Sequence, residues 1–366
     1  MIKFLDLSAQ YKAIKCEIDS AIANVIQDTA FIGGKYVQAF EQEFASYVGG
    51  SHCVGVGNGT DALEIAIEAL QLPAGSEIIV PGNSFIASSE AVSRCGHKVV
   101  FADVDQGSYT LTADAVRSKL TKKTKAVMAV HLYGHPCDMD ALQNICKEHD
   151  LMLIEDCAQA HGAKYKGRTV GTFGELSAFS FYPGKNLGAY GDAGAIVSQN
   201  ELLSTRARMI ANHGRIAKYD HQFEGRNSRL DGLQAAILSV KLRHLNEWTR
   251  RRIEIADVYL DQLGGVSEII LPERKVWAHQ VYHLFVIRTE RRDGLKSFLH
   301  DQGIQTGIHY PIALPKLNAY SYHYAADPTA FYNRVDRTLL SLPIGEHLSR
   351  EDASFVADSV RQYFSV

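Results

Sequence analysis

The chain has 366 residues, 46% hydrophobic and 22% charged, which excludes a disordered chain and allows a sizeable core in one large domain with a smaller one. A formal net charge of -3 excludes a global positive field that would gather nucleic acid or an anionic membrane surface. Six cysteines, Cys16, Cys53, Cys95, Cys137, Cys146 and Cys157, form no Cys-x-x-Cys pair, which predicts buried reduced thiols and no metal site.

In chain order, the amino-terminal MIKFLDLSAQYKAIK carries no apolar stretch of a secretory signal. No later run approaches the ~20 apolar residues of a membrane span, so a soluble cytoplasmic protein is expected. From Ser51 to about Val197 short apolar runs alternate with helix-length amphipathic stretches, the pattern of parallel strands joined by crossover helices. Strands are predicted at Glu77 to Val80, Val99 to Ala102, Ala126 to Val130, Met152 to Glu155, Ala178 to Phe181 and Ala195 to Ser198. Helices at Asp61 to Ala69 and Asp140 to Glu148 lie between them. A long helix is predicted from near Leu230 through Leu245 toward Leu263, with Arg250, Arg251 and Arg252 on a solvated face. Beyond Gly264 and Gly265 the pattern changes to a strand at Val281 to Ile287, a helix near Gly294 to Gln302 and a closing helix from Ser349 to Tyr363. The chain therefore reads as α/β, with a mostly parallel sheet in a large domain of residues 1–245 and a smaller α+β domain of residues 246–366.

Chemistry concentrates between Leu153 and Gly194, where LIEDCAQAHGA is followed by AFSFYPGKNLGAYGDAGA. Asp156 ends an apolar strand, where ligands collect in open α/β sheets, and a carboxylate there can keep a pyridinium nitrogen protonated. Lys185 follows another strand and Pro183 in a glycine-rich segment that lets backbone approach a ligand. An exposed lysine of pKa about 10.4 is a poor nucleophile, whereas one condensed with an aldehyde escapes that limit. Asp156 and Lys185 together suggest a Schiff-base cofactor, although a lone lysine after a strand is ordinarily a surface residue. Asn58, Gly59 and Thr60 precede an amphipathic helix, whose start is either a phosphate site or an ordinary cap. Phe85 follows a strand and Pro81, in position to stack on a planar ring or to pack in the core.

Two further signals carry less. His279 and His283 have the spacing of a helical metal pair, but HQVYHLFVI reads as a strand and lacks the glutamate of a zinc protease motif. The aromatic stretch from Tyr310 to Tyr324 has no basic cluster beside it, so packing or lining a sugar site is expected before base stacking.

These segments, in this order and over essentially the whole chain, resemble the DegT/DnrJ/EryC1/StrS family of sugar aminotransferases. The resemblance is carried by FLDL at residues 4–7, FIGGKYVQAFEQEFA at 31–45, NGTDAL at 58–63, YGHPCDMD at 133–140, EDCAQAHGA at 155–163 and SFYPGKNLGAYGDAGA at 180–195. It continues in NHG at 212–214, NSRLDGLQAAIL at 227–238 and HYP at 309–311. It implies the fold type I architecture of the aspartate aminotransferase superfamily and pyridoxal 5'-phosphate cycling with pyridoxamine 5'-phosphate. It also implies that Lys185 bonds the cofactor aldehyde, Asp156 contacts the pyridine nitrogen and Gln159 lies near the ring hydroxyl. Gly59, Thr60 and Ser180 would hold the phosphate, Phe85 would stack on the ring, and Asn227 would reach the phosphate in the neighbouring subunit of a homodimer with shared sites.

Some members with histidine at the cofactor lysine are sugar dehydratases, whereas Lys185 here implies transamination. The segment GRNSRLDGLQAA resembles members that aminate carbon 3, while those acting at carbon 4 more often show an Asn-Tyr-Arg-Met type sequence. The expected partners are a nucleotide-linked keto sugar, first a dTDP-linked 3-keto-6-deoxyhexose, and L-glutamate as amino donor. A UDP-linked 3-keto uronic acid, or a 4-keto sugar, is the nearest alternative, and a non-catalytic regulator is a third class opposed by the presence of both Asp156 and Lys185. Sugar contacts are expected from His309 and Tyr310 and from Tyr219, His221 and Arg229 in the loop that carries Asn227.

Overall fold

The computed structural model describes residues 1–321 and 327–365; Tyr322 and Tyr324 of the aromatic stretch lie outside the described residues. The six expected strands form, and His52–Val56 joins them, giving β1 His52–Val56, β2 Glu77–Pro81, β3 Lys98–Ala102, β4 Thr124–Val130, β5 Met152–Asp156, β6 Leu176–Ser180 and β7 Gly194–Ser198. Their order across one seven-stranded sheet is β1-β7-β6-β5-β4-β2-β3. All neighbours run parallel except at β7, which is antiparallel to β1 and to β6.

The sheet is buried on both faces, which is why β2 and β7 are apolar or buried at every position instead of alternating. Ile78, Val80, Met128, Ile154 and Ile196 pack to one side with the helix Gly59–Ala69. Ile79, Val127, Ala129 and Leu153 pack to the other with Leu142 and Ile145 of the helix Met139–Glu148. Parallel strands joined by crossover helices bring the carboxyl ends of β4, β5 and β6 to one edge of the sheet, and the site lies there.

The long helix spans Gly232–Leu263, 32 residues and so about 48 Å, and residue 245 falls within it without a break. Its first half packs on the large sheet through Ala235, Leu238, Leu242 and Leu245. Its second half enters a separate core with Ile255, Tyr259 and Leu263 against Phe285, Ile287, Leu340, Leu342 and Val356. That core holds the antiparallel pair Phe285–Arg288 and Leu339–Leu342 and the helices Arg292–Asp301 and Arg350–Phe364. Ser349 starts the last helix with a capping box to Asp352. Ile2 bridges to Ile304, so the first residues of the chain pack with this second core.

Three expectations need correction. The strand expected over Val281 to Ile287 begins only at Phe285, because Tyr282 adopts φ +45 and the Val281 N–H donates to the Gly134 carbonyl at 3.0 Å. Arg252 is not on a solvated face: it is 3% exposed, and it shares a buried stripe with Leu245, Thr249, Ala256 and Tyr259 at three- and four-residue spacing. Cys16 is an exposed thiol and Cys95 is half-buried, whereas Cys53, Cys137, Cys146 and Cys157 are buried; all six are free. Among the described residues no helix is long and apolar enough to cross a membrane.

Candidate active site

Strand β5 delivers two consecutive acids to opposite sides. Glu155 is fully buried, and its carboxylate accepts the N–H groups of Gly171 (2.7 Å), Phe173 (2.7 Å) and Gly174 (2.8 Å). The Cys137 N–H donates to His131 Nδ1 at 3.0 Å, so the ring proton sits on Nε2 and is donated to Glu155 at 3.1 Å. Burial raises the Glu155 pKa, but His131 and the backbone donors outweigh it and the net shift is downward. His131, Glu155 and Cys157 stand within 4.8 Å of one another, yet this carboxylate is occupied by hydrogen bonds that fix the β5 end.

Asp156 faces the other way. Ser88 Oγ donates to its Oδ2 at 2.7 Å and the Ala158 N–H to its Oδ1 at 3.1 Å, which holds the carboxylate in one orientation at the wall of a cavity of about 630 Å³. Lys185 lines the same cavity from the turn after β6. That turn is tight: the Lys185 N–H donates to Tyr182 O at 2.8 Å, and a Cβ on Gly188 would come within 2.3 Å of the Pro183 carbonyl oxygen. Lys241, on the long helix, donates to the Gly188 carbonyl at 2.7 Å and holds the turn from behind. Burial lowers the Lys185 pKa to about 8 against the opposing pull of Asp156, so roughly a tenth is free amine at neutral pH, far more than for an exposed lysine.

The third wall is the start of the helix Gly59–Ala69. Asn58 Oδ1 caps it by accepting the Asp61 N–H at 2.8 Å, leaving the unpaired first-turn amides of Gly59 and Thr60 at its positive end. A Cβ at residue 59 would lie 2.5 Å from Ser180 Cβ, so glycine is what lets this helix start meet the end of β6. Gly59, Thr60 and Ser180 all line the cavity. Phe85 enters it with its ring 53% exposed and 5.9 Å from that of Tyr310. Gln159 is locked, its Oε1 accepting the Tyr133 N–H at 2.7 Å and its Nε2 donating to the Tyr310 hydroxyl at 3.0 Å. His309 sits 2.8 Å from Ser341 Oγ through Nδ1; burial, then the charge of Lys185, lower its pKa to about 4. Burial raises the Tyr310 pKa to about 12.

The remaining sequence candidates are elsewhere on this chain. Asn227, Tyr219 and His221 are exposed and Arg229 half-buried in the segment 212–229, and none lines the cavity. Tyr219 is 83% exposed, and His221 Nδ1 lies 2.7 Å from the His213 carbonyl. Among the cavity residues that the sequence reading missed are Arg252 and His283. Arg252 donates to the carbonyls of Tyr282 (3.2 Å), His283 (3.4 Å) and Ile344 (3.3 Å) and to Glu346 (3.3 Å). His283, read as a strand residue, also lines the wall. The buried stripe through residues 245, 249, 252, 256 and 259 was the available signal for Arg252.

The donor set fits pyridoxal phosphate: an amine for its aldehyde, an acid for its ring nitrogen, an aromatic face, and a helix start with a hydroxyl for its phosphate. This sheet order with a lysine and an acid at adjacent strand ends defines a fold type I enzyme of the pyridoxal-phosphate class. The DegT/DnrJ/EryC1/StrS aminotransferase family matches residues 12–361. A dTDP-3-amino-3,4,6-trideoxy-alpha-D-glucose transaminase of Streptomyces venezuelae is 44% identical over 99% of this chain and 96% of its own length. A dTDP-3-amino-3,6-dideoxy-alpha-D-galactopyranose transaminase of Aneurinibacillus thermoaerophilus is 43% identical over 99% of each chain. The crystal structure of S. venezuelae DesV in complex with a ketimine intermediate superposes with a TM-score of 0.97 at 43% identity, covering 100% of this chain and 99% of that one. The chain belongs to the DegT/DnrJ/EryC1/StrS aminotransferase family.

Proposed function

We propose that this chain transfers an amino group from L-glutamate to carbon 3 of a nucleotide-linked keto sugar, with a dTDP-linked 3-keto-6-deoxyhexose as substrate and pyridoxal phosphate as cofactor. The observation that carries the reading is that Lys185 and Asp156 line one cavity from the ends of neighbouring strands. Relatives at 43% and 44% identity named as dTDP-3-amino sugar transaminases support position 3 and the nucleotide. The enzyme works as a cytoplasmic homodimer, with Asn227, Tyr219, His221 and Arg229 of each chain serving the site of the other. Its product feeds polysaccharide, O-antigen or glycosylated natural product synthesis.

When bound, pyridoxal phosphate supplies an electron sink for the donor's α carbon. Lys185 holds the cofactor through its amine and, once displaced by the amino donor, takes the proton from that α carbon as a base. Its lowered pKa suits both tasks, because a free amine is the reactive form. Asp156, pinned by Ser88 and Ala158, keeps a proton on the ring nitrogen. Gln159 would lie by the ring hydroxyl, Gly59, Thr60 and Ser180 would hold the phosphate, and Phe85 would cover the ring face. His309 and Tyr310, which line the same cavity, would meet the sugar.

The test is a panel of dTDP- and UDP-linked 3-keto and 4-keto sugars with glutamate as donor and mass-spectrometric product detection. Amination of the dTDP-linked 3-keto sugar is expected. Amination of only the UDP-linked uronic acid would move the assignment to the alternative substrate, and no amination of any of them would overturn it.

A further inference from the structure

His283 is held by more constraints than a wall residue needs. Its carbonyl accepts from buried Arg252, and its backbone nitrogen is so close to Gly134 that a Cβ there would lie 2.9 Å away. Tyr282, just before it, is a buried non-glycine residue at φ +45, a strained conformation that persists where surroundings over-determine it. Asn186, the residue after Lys185, reaches both sides of this segment: Nδ2 donates to the Val281 carbonyl at 3.1 Å, and Oδ1 lies 3.0 Å from His283 Nδ1.

These contacts fix the ring's tautomer. A carbonyl oxygen only accepts, so the amide nitrogen of Asn186 must face Val281 and its oxygen must face His283. The proton of the neutral ring is then on Nδ1, and Nε2 is a bare lone pair on a ring that lines the cavity. The charged and titratable groups around it are Lys185, Arg252, His309 and His161, with Asp156 across the cavity. Burial, then the charges of Lys185 and Arg252, hold the ring neutral, so it stays an acceptor. Of the other histidines, His309 is engaged with Ser341, and His161 packs 5.7 Å from both Phe179 and Phe181.

Building on the assignment of Lys185 as the reacting amine, we propose that His283 is a positioning residue whose Nε2 accepts a hydrogen bond from Lys185 once an amino donor has released that amine to act as a base, turning the amine's own lone pair toward the substrate. Asn186 ties the two together, because it is the chain neighbour of one and the hydrogen-bond partner of the other. The role is distinct from binding sugar, and it predicts an effect on turnover with little effect on substrate affinity.

The test compares wild type, His283→Phe, His283→Gln and Asn186→Ala. In His283→Phe, kcat falls about tenfold while KM for the nucleotide sugar stays within about twofold, and His283→Gln, which restores an acceptor, recovers most of the loss. Nitrogen-15 histidine spectra of the wild-type chain, assigned by the His283→Gln spectrum, show a proton on Nδ1 alone, and Asn186→Ala gives a tautomer mixture. An unchanged kcat in a folded His283→Phe, or a wild-type His283 protonated on Nε2, overturns the inference. Borohydride trapping of the cofactor separates the two levels: an adduct on Lys185 with no response to residue 283 sinks only the positioning role, and an adduct on another lysine sinks both readings.

Discussion

The cavity wall and the loop 212–229 carry the same kinds of side chain in opposite states. On the wall, Asp156 and Gln159 are buried and Lys185 half-buried, and all three are held by named donors and turns within one chain. In the loop, Tyr219, His221 and Asn227 stand on the surface of the same chain. The wall is made where strands end, so sheet pairing fixes it to within a residue, whereas the loop is held by the short pairing of Arg215–Ala217 with Asp220–His221 and by the isolated bridge of Asn212 with Asn227. A single chain thus preorganises the cofactor half of the proposed site, and in the proposed homodimer the loop half would come from a second chain.

Variants can break or sharpen that contrast. The largest effect is expected for Lys185→Ala, which should lower kcat by about 10⁴-fold or more; product formation followed by mass spectrometry at wild-type rate would remove Lys185 from the mechanism. Asp156→Asn follows, with both half-reactions slowed about 10²- to 10³-fold in stopped-flow absorbance, and an unaffected rate would mean that the carboxylate does not govern the ring. Asn227→Ala should weaken cofactor binding about tenfold without lowering Tm. Mixed dimers of Lys185→Ala and Asn227→Ala chains should then regain sites with both residues intact, and the failure of mixing to restore activity would argue against shared sites. Gly59→Ala is a smaller change on the wall, forcing Cβ onto Ser180, and calorimetry should show a loss of about 1–3 kcal/mol.

Acidity offers a test of the wall alone. Lys185 is shifted down from 10.5 to about 8, so between those values the unfolded chain carries a proton that the folded cofactor-free chain lacks. The contribution of this group to stability therefore rises with pH across that window, and its cost is fully present below about 8. Capture of pyridoxal phosphate by the amine should rise with pH with a midpoint near 8, and a midpoint near 10.5 would show that the lysine is not buried as described.

Much of this was legible in sequence because it is local. The strand ends that carry Asp156 and Ser180, and the helix start at Gly59, follow from apolar runs and turn residues a few positions apart. What escaped depends on distant partners. The burial of Arg252 is compensated by carbonyls at 282, 283 and 344 and by Glu346, none of which a helical window can see. His283 looked like part of a strand because HQVYHLFVI has strand composition, and only the contacts of Val281 with Gly134 and of His283 with Asn186 take it out of that strand. The break at Tyr282 is a tertiary choice written over a local preference.

The uninterrupted helix from Gly232 to Leu263 has a mechanical consequence. Lys241 grips the turn beyond the reactive lysine and Arg252 grips the segment bearing His283, two anchor points about 16 Å apart on one stiff rod. Two adjoining parts of the chamber thus hang from a common beam, so the spacing between them is set before any substrate arrives. Hinging of the second core relative to the sheet would have to bend that beam or slip one of its anchors.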